Sequence, residues 1–243
     1  MGRQVVAGRR AALEAVRSGR AERVLVAAGS RRTPALRDLL RACEGSGTPV
    51  EEADQRELDR LAEDHHGVVA RIRAIADLGE RDLSTYAFGP DDVVVVLDGI
   101  TDPQNLGAAA RSAEAAGVAM LVTRIRRAAP ATPAAVRASA GALLHLPHAR
   151  VANLARALDR LKDAGFAVVG LDEEAPADVY EEHCPSGRLA LVLGSEGEGL
   201  SRLVRERCDL LVRLPMRGRV SSLNASASLA AVLFAYVLPS RQR

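Results

Sequence analysis

Three short segments in the second half of the chain carry the residue types of a group-transfer site. The first, residues 97–117 (LDGITDPQNLGAAARSAEAAG), leaves an apolar stretch for a polar turn holding Asp98, Asp102 and Asn105, then enters an alanine-rich helix bearing Arg111. Arg111 follows Asn105 by six residues. That is less than two helical turns, so both could reach one pocket from the helix start. The second segment contains GSEGEGL at 194–200, which pairs a carboxylate, Glu196, with glycines that admit positive φ and let a ligand approach the main chain. The third, LPMRGRV at 214–220 followed by SSLNASASLAAV at 221–232, sets hydroxyls, one amide and small side chains where an amphipathic helix should begin. Ser221 or Ser222 could cap that helix and Asn224 adds an amide to its first turn, while Ala225, Ala227, Ala230 and Ala231 admit another backbone. Taken singly, each segment has a plainer structural reading: a capped helix, a strand-to-helix turn and a packed terminal helix.

The glycine loop fits none of the common phosphate and nucleophile signatures. Leu200 stands where a Walker A lysine would follow Gly199, there is no G-x-S-x-G, and the glycine order is not the dinucleotide one.

The elements that must hold these segments are legible from periodicity. Apolar runs at 92–97, 119–123, 166–171, 189–194 and 210–214 alternate with helical stretches at 105–116, 151–164, 200–206 and 223–238. Such alternation predicts an α/β domain with a parallel sheet, whose ligand site lies at the strand C-terminal ends, where all three segments fall. The N-terminal part reads as a smaller α/β unit: helix 9–17, strand 23–27, helix 34–43, strand 49–52, helix 55–63 and strand 68–75. The expected organisation is a first domain over 1–75, a linker over 76–90 where periodicity fades, and a second domain over 91–243.

Composition narrows the function classes. The chain has 243 residues, 48% hydrophobic, enough for a real core, and no apolar run approaches the about 18 to 20 residues of a membrane span. Its opening, MGRQVVAGRR, lacks a signal-peptide core, so a cytoplasmic protein is expected. Cys43, Cys184 and Cys208 are scattered and odd in number, which predicts free packing thiols and no metal site. Net charge is only +2, yet Lys162 is the sole lysine among 33 basic residues, and residues 1–50 hold ten arginines against four acids. Arg124, Arg126 and Arg127 form a second basic cluster. Arginine's planar fork suits phosphate, so local basic faces are compatible with nucleic-acid binding. Aromatics make up 2%, which argues against base-stacking platforms and for recognition through arginine and RNA shape. His145 and His148, flanking Pro147, are expected to be structural, and Asp172, Glu173 and Glu174 to form a solvated loop.

In order, the three segments resemble the motifs of the SpoU (TrmH-like) family of SPOUT RNA 2′-O-methyltransferases. The features that carry the likeness are the Asn105 to Arg111 spacing, GSEGEGL, and LPM with SSLNAS. In the first domain, GRRAALEAV at 8–16 and HHGVVAR at 65–71 resemble the L30e-like substrate-binding domain of the 23S rRNA guanosine 2′-O-methyltransferase subgroup, as does ASAGA at 138–142 of the second. His66 departs from the glutamine often found there.

The resemblance implies a C-terminal trefoil knot, S-adenosylmethionine as cofactor, RNA (23S rRNA in particular) as partner, and a site completed across a homodimer. It further implies Asn105, Arg111, Glu196, Ser222 and Asn224 as the catalytic and substrate shell. Gly194, Leu214 and Leu223 would bind the cofactor largely through backbone, with Met216 and Gly199 beside them. A guanidinium holds its proton too tightly to be a good base, so positioning is the role expected of Arg111. The alternatives left open are a tRNA or antibiotic-resistance rRNA enzyme of the same chemistry, and a non-catalytic RNA-binding assembly factor.

Overall fold

The computed structural model describes residues 4–73, 78–219 and 222–241. The first domain runs β1 (Gln4–Ala7), α1 (Arg9–Arg17), β2 (Ala21–Ala27), α2 (Pro34–Ser46), β3 (Val50–Ala53), α3 (Gln55–Leu61) and β4 (Val68–Ile72). Its sheet has the order β1-β4-β2-β3, with β4 antiparallel to β1 and β2, and β3 parallel to β2. Local chemistry sets the boundaries. Thr33 accepts the Leu36 amide and Pro34 opens α2, which stops at Gly47 in the left-handed region. Strand β1 (QVVA) was not read from the sequence. The end of the strand read to residue 75, and with it the boundary there, falls outside the described residues.

The second domain comprises α4 (Asp82–Thr85), β5 (Val93–Leu97), α5 (Pro103–Ala115), β6 (Met120–Arg124), α6 (Pro133–Ala138), β7 (His148–Val151), α7 (Leu154–Asp163), β8 (Ala167–Leu171), β9 (Ala177–Asp178), β10 (Leu189–Leu193), α8 (Arg202–Arg205), β11 (Leu210–Arg213), α9 (Ala225–Val232) and α10 (Leu238–Arg241). A π-helical turn, Leu233–Val237, joins the last two. Seven strands lie in the order β7-β6-β5-β10-β8-β11-β9, every pairing parallel. Strands β5 (VVVVL) and β10 (LALVL) are buried throughout. Val93, Val95 and Leu97 enter one apolar cluster, and Val94 and Val96 the other, as a two-sided parallel strand requires. The order is not sequential: β10 sits between β5 and β8, which sets the loop after β10 beside the loop after β5, with β8 between β10 and β11.

The described part of the expected linker, residues 78–90, packs on the second domain. Leu78 bridges to Ala149, and Leu83 and Phe88 are buried among Leu154, Leu158 and Phe166. Glu80 pairs with Arg156 and Arg160 on α7, and the Arg156 hydrogen bond holds its carboxyl below the usual range. Its apolar residues were too sparse for a periodic signal, yet residues 78–90 form an outer layer of the second domain. Residues 76 and 77 lie outside the described residues.

The two domains share a seam. Val6, Ala11 and Ala12 belong to the same buried cluster as Leu143 and Leu144. Arg20 Nε donates to the Leu144 carbonyl at 2.7 Å, Arg137 to the Glu63 carbonyl at 2.7 Å, and the His145 ring meets Glu14 at 3.0 Å. His145 thus serves the seam, and buried His148 pairs with Thr123 at 2.8 Å. Gly141 sits at φ +95°, where a Cβ would lie 2.5 Å from Glu14 Cβ. Gly141→Ala is therefore expected to cost about 1–3 kcal/mol of stability, read as a lower Tm with earlier proteolysis between the domains. Among the described residues no helix is long and apolar enough to cross a membrane.

Candidate active site

The site is built from the loops after β5, β10 and β11. After β10 the chain turns so tightly that Ser195 and Gly199 exchange backbone bonds of 3.2 and 3.0 Å. A Cβ on Gly194 would lie 2.1 Å from the Gly199 carbonyl carbon, so only glycine fits, and Gly197 and Gly199 take positive φ. The turn projects Glu196. Its base is clamped by Asp98, only 4% exposed, which accepts the Ser201 amide at 2.8 Å and pairs with Arg124 at 2.9 Å. Arg124 also donates to Ser201 Oγ at 3.0 Å.

Asp102 caps α5 by accepting the amides of Gln104 and Asn105, which fixes Asn105 in the first turn. Helix α9 starts later than the sequence suggested, so its cap is Asn224 and not Ser222; Ser221 lies outside the described residues. Asn224 Oδ1 accepts from the Ser226 amide at 3.0 Å and the Ser226 hydroxyl at 2.6 Å. This leaves Asn224 Nδ2 free to donate to Glu196 Oε1 at 2.6 Å and to Asn105 Oδ1 at 2.9 Å. Asn105 Nδ2 donates to the same Glu196 oxygen at 3.1 Å, and so does the Ala225 amide at 3.2 Å. Glu196 Oε1 is therefore the hub for three donors from two other loops, and among the described residues Oε2 has no partner.

Beside this hub opens a cavity of about 750 Å³. Gly194, Gly199, Leu214, Met216 and Leu223, the five residues read as cofactor-binding, all line it, together with Glu196 and Ser222. Met216 and Leu223 are 37% and 45% exposed, an apolar wall open for a ligand to cover. Sequence reading missed the opposite wall. Leu171, Asp172, Glu173 and Glu174 line the cavity, and Asp172 is no solvated side chain, being 12% exposed and paired with Arg205 at 2.6 Å. Its place directly after β8 was the signal, since strand C-terminal ends form such sites. Arg213 also lines the cavity and has no side-chain partner among the described residues.

Arg111 is not brought to this cluster within its own chain. It is exposed, lines no part of the cavity and has no side-chain partner among the described residues. Six helical residues place it about 9 Å along and about 120° around α5 from Asn105, so spacing under two turns did not mean a shared face. Thiol chemistry is disfavoured: burial pushes Cys208 up to about 12, and raises Cys43 and Cys184 as well.

The profile of the SpoU rRNA methylase family matches residues 92–234, and that of RNA 2′-O ribose methyltransferase substrate binding matches residues 5–77. The chain is 41% identical over 211 residues to the 23S rRNA (guanosine-2′-O-)-methyltransferase RlmB of Photobacterium profundum, covering 86% of this chain and 84% of that enzyme. Against the RlmB of Escherichia coli K12 the identity is 40% over 211 residues, covering 86% and 85%. Among solved structures, the SpoU methyltransferase AviRb from Streptomyces viridochromogenes in complex with AdoMet superposes with a TM-score of 0.81 at 31% identity, over 99% of this chain and 91% of that one. The motif loops, the cavity they enclose and these likenesses, which run through both domains, agree: the chain belongs to the SpoU rRNA methylase family.

Proposed function

We propose that this protein transfers the methyl group of S-adenosylmethionine to the ribose 2′-hydroxyl of a guanosine in 23S rRNA, in the cytoplasm and as a homodimer. The observation that carries this reading is the Asn105–Glu196–Asn224 network at the mouth of the cavity. The cavity suits the cofactor: its volume lies within the about 300–1,000 Å³ usual for small-molecule sites. Gly194 and Gly199 expose backbone, Leu214, Met216 and Leu223 offer apolar contact, and the carboxylates after β8 favour a cation. When bound, S-adenosylmethionine supplies an electrophilic methyl group on a sulfonium centre.

The chain's own residues supply placement. Asn105 and Asn224 hold one Glu196 oxygen, leaving the other to accept a hydrogen bond from the incoming hydroxyl. Ser222 offers a further hydroxyl from the cavity wall. Orientation of this kind supplies as much as about 7–11 kcal/mol in favourable cases. Arg111, without a side-chain partner among the described residues, is available to the cavity of a second copy as a phosphate-positioning group, and the trefoil knot expected at the C-terminus belongs to the same reading.

The test is incubation with methyl-labelled S-adenosylmethionine and either unmodified large-subunit rRNA or tRNA, with ribose methylation mapped by mass spectrometry. Label on one rRNA guanosine is expected. Label confined to tRNA overturns the substrate, and cofactor binding without label in either favours an assembly factor. Mixing inactive Arg111→Ala and Glu196→Ala proteins is expected to restore about a quarter of wild-type turnover through dimers holding one intact site. No recovery would overturn the shared site.

A further inference from the structure

Five carboxylates line the cavity: Asp172, Glu173, Glu174, Glu196 and Glu198. Four of them already have a task in the site. Asp172 is paired with Arg205, Glu173 and Glu174 share its loop after β8 on the wall that favours a cation, and Glu196 holds the asparagine network. Glu198 is exposed and has no side-chain partner among the described residues. An uncompensated carboxylate at the mouth of a cavity that receives RNA repels phosphate, so it weakens binding unless the substrate brings donors to it.

The loop sets Glu198 where such donors would arrive. The backbone bonds between Ser195 and Gly199 leave a tip of three residues, Glu196, Gly197 and Glu198. Two residues span at most about 7 Å, so the Cα atoms of the two glutamates lie no further apart than that. Glu198 is flanked by Gly197 and Gly199, and nothing lies within 4 Å of either glycine's Cβ position, so there is open space beside its carboxylate. In a nucleoside the base is joined to C1′, the carbon next to the one that carries the 2′-hydroxyl. A hydroxyl seated at Glu196 therefore brings its own base to the tip. No aromatic side chain lines the cavity among the described residues, so hydrogen bonds, not stacking, are what this wall offers a base.

We propose that Glu198 selects guanine, its carboxylate accepting the N1–H and the exocyclic N2–H of the target base. The proposal rests on the reading of the protein as a ribose methyltransferase and deepens it by naming the group that recognises the base. Guanine is the base whose Watson–Crick edge sets two N–H donors side by side, and an ionised carboxylate offers two acceptors to match them. Uracil has one such donor between two carbonyls. Adenine and cytosine each set a donor beside a ring acceptor, which a carboxylate repels.

The experiment uses the full chain and a large-subunit rRNA fragment carrying the target guanosine, with inosine or adenosine substituted at that one position. Inosine lacks the N2 amino group and keeps N1–H. Wild-type protein is expected to favour guanosine over inosine by about tenfold, in kcat/KM and in affinity, the scale of a base-edge contact. Glu198→Gln and Glu198→Ala should bring that ratio to within about twofold of one. A glutamine amide sets a donor beside an acceptor, so Glu198→Gln should also raise adenosine relative to guanosine by about tenfold. Each ratio compares two substrates on one protein, so a general loss of folding or turnover does not move it. Glu173→Gln/Glu174→Gln should keep the wild-type preference. Equal treatment of guanosine and inosine by the wild type, an undiminished preference in both Glu198 variants, or an equal loss in the Glu173/Glu174 variant overturns the proposal. Wild-type protein that binds the guanosine fragment in preference and transfers no methyl group overturns the enzymatic reading and leaves base selection standing.

Discussion

Gly194→Ala is expected to abolish methyl transfer by closing the cofactor cavity, while the sheet and helices persist. The added Cβ would stand 2.1 Å from the Gly199 carbonyl carbon, 2.2 Å from its oxygen and 2.5 Å from the Leu200 nitrogen. All three are main-chain atoms, so no side chain can swing aside. The loop must move, and it is short of room: its far end is clamped by Asp98 through the Ser201 amide, and Arg124 grips both. Because the same loop carries Glu196 and lines the cavity, displacement removes the hub and one wall together. Affinity for S-adenosylmethionine, measured by calorimetry, should drop at least about 100-fold, the scale of about 3 kcal/mol expected when backbone overlap is forced. Gly197→Ala is the contrast. Nothing lies within 4 Å of its Cβ position, so the substitution meets only the strain of φ +83°, about 1 kcal/mol, and should retain binding. If Gly194→Ala binds cofactor within about threefold of wild type, the loop is not the rigid wall described.

What the sequence made legible follows from how each signal is encoded. The buried strands VVVVL and LALVL announce themselves because a strand covered on both faces is a run of one chemistry. The three polar segments were visible because a parallel sheet collects strand ends. Strand β7 was not, because His148-Ala149-Arg150-Val151 mixes charge with apolar residues and gains its place from Thr123 and Leu78 across space. The packing of residues 78–90 was hidden for the same reason: Leu83 is fully buried in a cluster that includes α7, about 70 residues away in sequence. Asn224 as cap was not read, since the sequence offered Ser221 or Ser222 as cap and Asn224 as a first-turn amide, and which residue caps depends on where α9 starts, at Ala225. Arg111 shows the limit of spacing arguments, since a helix converts six residues into a rotation as well as a rise.

Glu196→Ala is expected to lower kcat by about 10²–10³, the scale of removing a preorganised polar group, and Glu196→Gln by only about tenfold. The difference follows from the contacts. Oε1 accepts from Asn105, Asn224 and the Ala225 amide, and alanine leaves all three donors without their acceptor. A glutamine oxygen in the same place can accept all three and keep α9 and α5 in register, at the loss of charge assistance to each bond. The ordering of the two variants reports the role. Glutamine near wild type and alanine inactive means that Glu196 acts by holding the asparagines in place, because the glutamine NH2 in the Oε2 position cannot accept from the incoming hydroxyl. Equal inactivity means that its negative charge is what the reaction needs. The asparagines decide independently. If the hub is geometric, Asn105→Ala and Asn224→Ala should each be strongly coupled to Glu196→Ala in a double-mutant cycle, with about 0.5–3 kcal/mol of interaction energy in kcat. If the charge alone matters, both asparagine variants should stay active and the cycle should close near zero, because a carboxylate at the cavity mouth would serve without them.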